Sequence, residues 1–385
     1  MIQKLRLYKT PLLFAILSIA FYISFAFDLE RNDFIKLISL YAVLFFTAYL
    51  LIEKFKLNFW LLAGFGIVFR LVSIAAIPNL SQDFYRFLWD GRLLAQGMSP
   101  YLFTPDSAAA LNVTVEQSKE LIHGMGVLNA SHFSNYPPIN QLFFAVAALF
   151  AGKSILGSVI VLRVLIILAD VGILYFGKKL LEKINLPIKN IFWYFLNPFI
   201  IIELTGNLHF EGVMLFFFVW ALYLLFKGKW FWAAVLIGIS VSVKLIPFLF
   251  LPLFFKYFTN ENKTPKVIKT FGVSPSFYFI IGISVLITFL PFLSSEFIHN
   301  FSGTLALWFQ DFEFNASVYY VIRWIGFKVV GWNLIETVGK VLPFLVFLFV
   351  LAIAFFRKNK TPQQLISAML FAVSFYFFLS TTVHT

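Results

Sequence analysis

Cysteine is absent from this chain of 385 residues. That excludes disulfides, thiolate nucleophiles, haem-thiolate ligation and cysteine–metal clusters. Charge is scarce as well. Asp, Glu, Lys and Arg make up 12% of the residues, against roughly a quarter in globular domains, so a large water-facing surface is excluded. No sustained period-2 alternation of β-branched residues is present, which argues against a membrane barrel. Internal repeats, low-complexity tracts and a separate soluble domain are missing too.

What is present is apolar. Hydrophobic residues reach 61%, and phenylalanine alone occurs 53 times. Many runs exceed about 17 residues with few or no charges, the length that spans a bilayer. Open sheets cannot satisfy their backbone in lipid, so the expected fold is an all-α, polytopic integral-membrane bundle of roughly ten to twelve membrane-embedded helices. The net charge of +12 comes from Lys and Arg scattered through short loops. This is the pattern of orientation signals beside anionic lipid, not of nucleic-acid binding. The start, MIQKLRLYKTPLLF, has no small-residue cleavage site and reads as a retained first span.

Spans are expected at residues 7–27, 34–52 and 58–77. The third contains Arg70, which must snorkel or pair inside the bundle. Three crossings from a basic N-terminus leave residues 79–138 on the extracytoplasmic side. That loop carries few basic residues, as the orientation rule requires. It is too long for a connector. Within it, 84–95 reads as a helix along the membrane surface with Phe84, Phe87, Leu88 and Leu94 as its apolar stripe. A second helix is expected at 115–128, broken by Gly124 and Gly126. Beyond it lie a short run at 139–151 and a span at 156–176 in which Arg163 and Asp170, seven apart, pair or share a buried network. The first of these runs is re-entrant, or packing sets the orientation there; the sequence leaves both open. Two spans follow at 190–205 and 210–226. Lys244, Pro247 and Pro252 break 231–257 into half-helices, with Lys244 turned to a polar cavity. A span at 276–292 leads into a second outer and interfacial segment, 294–335. Spans at 338–356 and 365–379 end the chain. All five histidines (His123, His132, His209, His299 and His384) fall near the outer face in this arrangement.

Chemistry concentrates in the first outer loop. Asp83 and Asp90 are seven apart, and Arg86 lies between them at helical pairing distance from both. The ordered elements are Gln82-Asp83-Phe84-Tyr85, Asp90-Gly91, Gly97-Met98-Ser99-Pro100-Tyr101 and Tyr136-Pro137-Pro138. Further on come Asn207-Leu208-His209-Phe210-Glu211-Gly212, Lys244 to Pro247, and Thr382-Val383-His384-Thr385.

On these residues the chain resembles the GT-C superfamily of membrane glycosyltransferases. Within it, the chain is most similar to polyprenyl-phosphate-mannose-dependent mannosyltransferases of bacteria and, more distantly, to the first mannosyltransferase of glycosylphosphatidylinositol synthesis. The resemblance covers essentially the whole chain, which then forms a single glycosyltransferase domain, 1–385. Relatives continue past the His384 motif with Pro-Trp-Tyr and further spans, so the resemblance implies a truncation after 385. It also implies transfer of a hexose, mannose above others, from a polyprenyl-phosphate donor to a lipid-linked or cell-envelope glycan acceptor. The expected location is the extracytoplasmic face of the cytoplasmic (inner) membrane. The partners implied are that donor, a glycan or glycolipid acceptor and membrane lipids, with no nucleic acid; the oligomeric state stays open.

Glycosyl transfer needs a carboxylate to accept the acceptor proton and a cation to steady the departing phosphate. Asp83 is expected as the base of an inverting displacement, and Asp90 as a second catalytic acid or acceptor contact. Alternatively, either acid pairs with Arg86. Lys244 is the expected phosphate cation. His209 and Glu211 are assigned to sugar or phosphate, His384 to phosphate, and Tyr85, Tyr101 and Tyr136 to sugar stacking, with Arg86 and Arg92 as further binding residues. No metal ligand set is assigned, although Asp83, His209 and Glu211 together leave a divalent Mg or Mn open. Two other readings share the composition: a lipid-linked-sugar transporter or flippase, and a polysaccharide ligase or polymerase. A transporter would show matching halves, and the single acidic loop has no counterpart.

Overall fold

The structure is a computed structural model that describes residues 2–55, 58–108, 113–258, 273–308 and 312–382. His384 and Asp311 lie outside the described residues. The described chain is helical, and an isolated bridge between Phe314 and Thr382 is the one β pairing recorded in it. It divides into two compact units, one of Met1–His132 with Pro138–Tyr223 and one of Phe133–Pro137 with Leu224–Thr385.

The first unit opens with α1 (Ile2–Phe27), α2 (Phe34–Phe55) and α3 (Phe59–Val72). The loop region holds α4 (Asp83–Ala95), the single turn α5 (Pro105–Ala108) and α6 (Ser118–Ala130). Then come α7 (Pro138–Ala151), α8 (Ile155–Lys183), a 3-10 turn (Ile188–Ile191), α9 (Phe192–Phe195), a π-helical segment (Ile200–Gly206) and α10 (Glu211–Phe226), whose last residues enter the second unit. That unit continues with α11 (Trp230–Val243), a 3-10 stretch (Ile246–Phe254), α12 (Phe255–Phe258), α13 (Val273–Phe289), α14 (Ser295–Ala306), α15 (Val318–Val329), α16 (Ile335–Phe356) and α17 (Pro362–Leu379).

Among the described residues six helices are long and apolar enough to cross a membrane: Lys9–Phe27, Phe34–Phe55, Ile155–Lys183, Ser274–Phe292, Ile335–Phe356 and Pro362–Leu379. Ile200–Gly206 and Glu211–Phe226 form a further pair bent by 110°. Four shorter apolar helices complete the set, at Phe59–Val72, Pro138–Ala151, Trp230–Val243 and Ile246–Phe258. Phe356 is 88% exposed and Phe150 81%. Rings left so bare on an apolar helix call for lipid.

Lipid removes most of the hydrophobic drive for helices to associate, so close packing and buried polar bonds must supply it. Both are visible in the first unit. Gly66 lets the Phe195 ring lie against α3, where a Cβ would sit 2.5 Å from it. Arg70 stacks its guanidinium 4.2 Å from the centroid of that ring and donates to the Phe195 carbonyl at 2.7 Å. Ser18 and Thr47 join α1 to α2 at 3.0 Å. In the second unit Gly238 brings α11 onto Ser284 of α13, and Ser242 meets Thr288 at 2.7 Å.

Three expectations need correction. Residues 190–205 do not form one span; the chain there is a 3-10 turn, a single α turn and a π segment, with Pro198 after Asn197 preventing a continuous helix. Arg163 does not pair with Asp170. Asp170 instead takes Arg70 at 2.7 Å and the Tyr194 hydroxyl at 2.8 Å. Helix α4 is not covered along one apolar stripe alone: Phe84 and every residue from Arg86 to Leu93 are buried. The expected break of 231–257 at Lys244 is present, between α11 and the 3-10 stretch.

Candidate functional site

Helix α4 carries Asp83 in its first turn and Arg92 in its last, the distribution that complements the helix dipole. It ends where Gly97 takes φ +78°, a left-handed conformation costly for other residues. Its core contact is with α7. Gly91 permits it, because a Cβ there would stand 2.2 Å from the Phe144 carbonyl oxygen. Phe87 stacks on Phe144 at 4.5 Å, and both meet Phe210 edge-on at 5.8 and 5.3 Å. The loop helix is therefore clamped to α7 and to the start of α10.

The two loop acids differ in surroundings. Asp90 is fully buried, with Oδ1 accepting from Arg86 Nε at 2.7 Å and Oδ2 from Gln141 Nε2 at 3.0 Å. Arg86 also donates from Nη1 to the carbonyls of Asn129 (2.9 Å) and His132 (2.7 Å), tying α4 to the end of α6. Asp83 is only half-buried, and its Oδ1 accepts a single long bond, 3.3 Å, from Asn129 Nδ2. Asn129 thus touches both acids' neighbourhoods, with its side chain on Asp83 and its carbonyl on Arg86.

Arg92 and Tyr101 are framework in this geometry. Arg92 Nη1 donates to the Glu116 carbonyl at 2.6 Å, and its Nη2 donates to Gln117 Oε1 at 3.0 Å and the Lys153 carbonyl at 3.2 Å. Tyr101 is wholly buried; that burial, and then the nearby Asp90 charge, hold its phenol well above the ordinary value. Tyr85 is half-buried, its ring faces Gly124, and burial followed by Glu120 raises its phenol.

His209 and Glu211 sit at the bend before α10. Leu208 is fully buried with φ +63°, a left-handed conformation that costs a non-glycine residue of order 1–2 kcal/mol. Such an outlier persists where its surroundings over-determine it. Here Glu203 accepts from the Tyr41 hydroxyl (2.9 Å) and from Asn207 Nδ2 (3.1 Å), while Asn207 Oδ1 accepts from Leu80 N–H at 3.3 Å. His209 and Glu211 are half-buried, and the His209 N–H returns to the Leu204 carbonyl at 3.1 Å.

In the second unit, Lys244 is the residue just past α11, with an extended backbone, and its Nζ lies 5.7 Å from the centroid of the Tyr136 ring. Two residues 108 positions apart in the chain (136 and 244) are brought together this way. The Phe133–Pro137 strip that carries Tyr136 belongs to the second unit, although its neighbours on either side belong to the first.

Asn129 and Gln141 are site residues that no sequence motif marks, and Asn207, part of the motif before α10, proves to be a structural tie to Glu203 and Leu80. Gln141 carried a usable signal, being an amide inside an apolar run. Asn129 did not, in a polar loop. Among the described residues no group of three or more His, Asp or Glu side chains is placed to hold a metal ion.

The helical bundle with buried ion pairs and an enclosed acid-bearing loop helix defines a multi-pass membrane protein. A family model described as MptA_B family, alpha-(1->6)-mannopyranosyltransferase, N-terminal domain, matches residues 42–259, and the chain belongs to that family. It is a membrane glycosyltransferase of the mannosyl-transferring kind. No curated protein and no solved structure matches it.

Proposed function

We propose that the enzyme moves mannose from a polyprenyl-phosphate donor to a lipid-linked or cell-envelope glycan acceptor, at the extracytoplasmic face of the inner membrane. The acceptor hydroxyl oxygen attacks the anomeric carbon, and the bond from that carbon to the phosphate oxygen breaks with inversion. The phosphate leaves with the electron pair, and the proton passes to Asp83. Lys244, next to Tyr136, is assigned to the phosphate charge, and His209 and Glu211 to sugar or phosphate oxygens.

The observation that supports Asp83 as base is the contrast with Asp90. Both oxygens of Asp90 are engaged in a closed interior, whereas Asp83 is half-exposed with one weak amide contact. A base must reach the proton it takes, and the partial exposure of Asp83 supports it over the enclosed Asp90. Asp90, Arg86, Arg92 and Tyr101 then position the helix that carries it.

The test is the initial transfer rate from polyprenyl-phosphate mannose in nanodiscs, beside donor affinity measured separately. Asp83→Asn is expected to lose about 100- to 10,000-fold in rate with donor affinity unchanged, since the amide keeps the size but accepts no proton. Retention of more than about a tenth of the rate would remove Asp83 from that role. Loss of donor binding as well would reassign it to sugar or metal contact. A chelator effect on the wild-type enzyme separates those two.

A further inference from the structure

Arg163 lies on α8 and is wholly buried. Among the described residues no carboxylate stands within ion-pair distance of it, because Asp170 is taken by Arg70. Its charge is met by carbonyl oxygens. Nε donates to Thr205 at 2.8 Å, Nη2 to Gly206 at 2.7 Å, and Nη1 to Ile74 at 2.9 Å and Ala76 at 2.7 Å. A guanidinium has five N–H donors in a planar fork, and four are spent here on backbone.

These four carbonyls belong to two chain breaks. Thr205 and Gly206 close the π segment that leads to His209, and Ile74 and Ala76 follow α3 on the irregular segment that leads to Asp83. Carbonyls at helix ends have no intrahelical partner and carry the negative end of the dipole, so one cation serves as a shared cap for both ends. The segment between Ala76 and Asp83 is held further along. Asn79 Nδ2 donates to the Phe25 and Leu29 carbonyls at 2.8 and 3.0 Å, and Leu80 N–H donates to Asn207. The open pocket that Ser73, Asn79, Gly206 and Asn207 help to line measures about 20 Å³, room for a single water. Little slack remains between the two breaks.

We infer that Arg163 is a positioning residue for transfer, setting the segment that leads into Asp83 against the turn that carries His209. The inference rests on the roles proposed for those two residues. A displacement of about 1 Å in such groups costs on the order of 100-fold in rate, while ground-state binding by other contacts is little affected. Lysine keeps the charge at this position but offers a single ammonium in place of the fork, so it cannot hold both breaks at once.

The experiment compares Arg163→Lys with Arg70→Lys, a change in an equally buried arginine that joins α3 to α8 and α9 without bonding any of the four carbonyls at the breaks. Both are assayed in nanodiscs for kcat, donor KM and melting temperature, at a temperature where each is folded. For Arg163→Lys the expected result is a kcat loss of about 100-fold, with donor KM within about threefold of wild type; Arg70→Lys is expected to keep kcat within about threefold. If Arg163→Lys keeps kcat within that range, or if Arg70→Lys loses as much, the inference is overturned and the arginine only stabilises the bundle. Should Arg163→Lys fail to fold, Asn207→Ala cuts the other tie between the breaks. A fall in its kcat without a rise in donor KM supports the inference, and an unchanged kcat overturns it. Asp83→Asn, run alongside, separates the two ideas. An active Asp83→Asn removes the proposed base, whereas an inactive Asp83→Asn beside an active Arg163→Lys removes only the positioning role.

Discussion

Two aspartates seven residues apart on one helix stand in different surroundings. Asp90 is one half of a buried ion pair whose remaining oxygen is satisfied by Gln141. Removing one member of such a pair leaves an uncompensated charge in a poorly solvating interior, at a cost of about 3–5 kcal/mol. Asp90→Asn is therefore expected to lower the melting temperature sharply and to reduce the yield of folded protein. Asp83→Asn is expected to leave thermal stability nearly unchanged, because the group it removes is half-exposed and makes one long hydrogen bond. Thermal melts of the two variants in the same detergent check this. Equal destabilisation would mean that Asp83 is structural too. Spacing alone marked the two acids as equivalent, each within pairing distance of Arg86. Which of them Arg86 chose depended on the carbonyls of Asn129 and His132, which hold the guanidinium.

Helix α4 is the element on which the proposed site depends, and its seat against α7 is tight. Gly91 faces the Phe144 backbone so closely that a methyl group has nowhere to go. A backbone carbonyl cannot rotate aside as a side chain can. Gly91→Ala is expected to push α4 off α7 and cost about 1–3 kcal/mol or more. Limited proteolysis of the loop, compared with wild type at equal temperature, should show faster cleavage around residues 96–118. Unchanged protection would mean that α4 is not seated through this contact. The helix itself, its ends and its dipole-matched charges were legible in the sequence. Its enclosure was not: the stripe of Phe84, Phe87, Leu88 and Leu94 marks one apolar face and does not say that α6 and α7 close over the others. The break at Lys244 was legible, because prolines and a cation interrupt an apolar run.

For the whole molecule, the proposed orientation can be tested because the chain has no cysteine of its own. Lys119 in the first loop and Lys227 after α10 are both exposed. In intact cells a membrane-impermeant thiol reagent is expected to label Lys119→Cys and to spare Lys227→Cys until the membrane is permeabilised. Equal labelling before permeabilisation would reverse or abolish the proposed arrangement.

Composition and hydropathy by themselves determined that this is a helical membrane protein, because a chain so apolar and so poor in charge must satisfy its backbone internally in lipid. The order of polar residues in the first loop made that loop the expected seat of the chemistry, through the family resemblance those residues carry. Tertiary structure alone decided the partners. Arg70, not Arg163, took Asp170, and Arg163 was left to bind four carbonyls of two distant breaks. Tyr136 met Lys244 across more than a hundred residues of chain. Helical spacing reports only neighbours on the same helix, within about four residues. Pairings between helices depend on rotation and depth in the bundle, and these are set by small residues such as Gly66 and Gly91 that let particular faces approach.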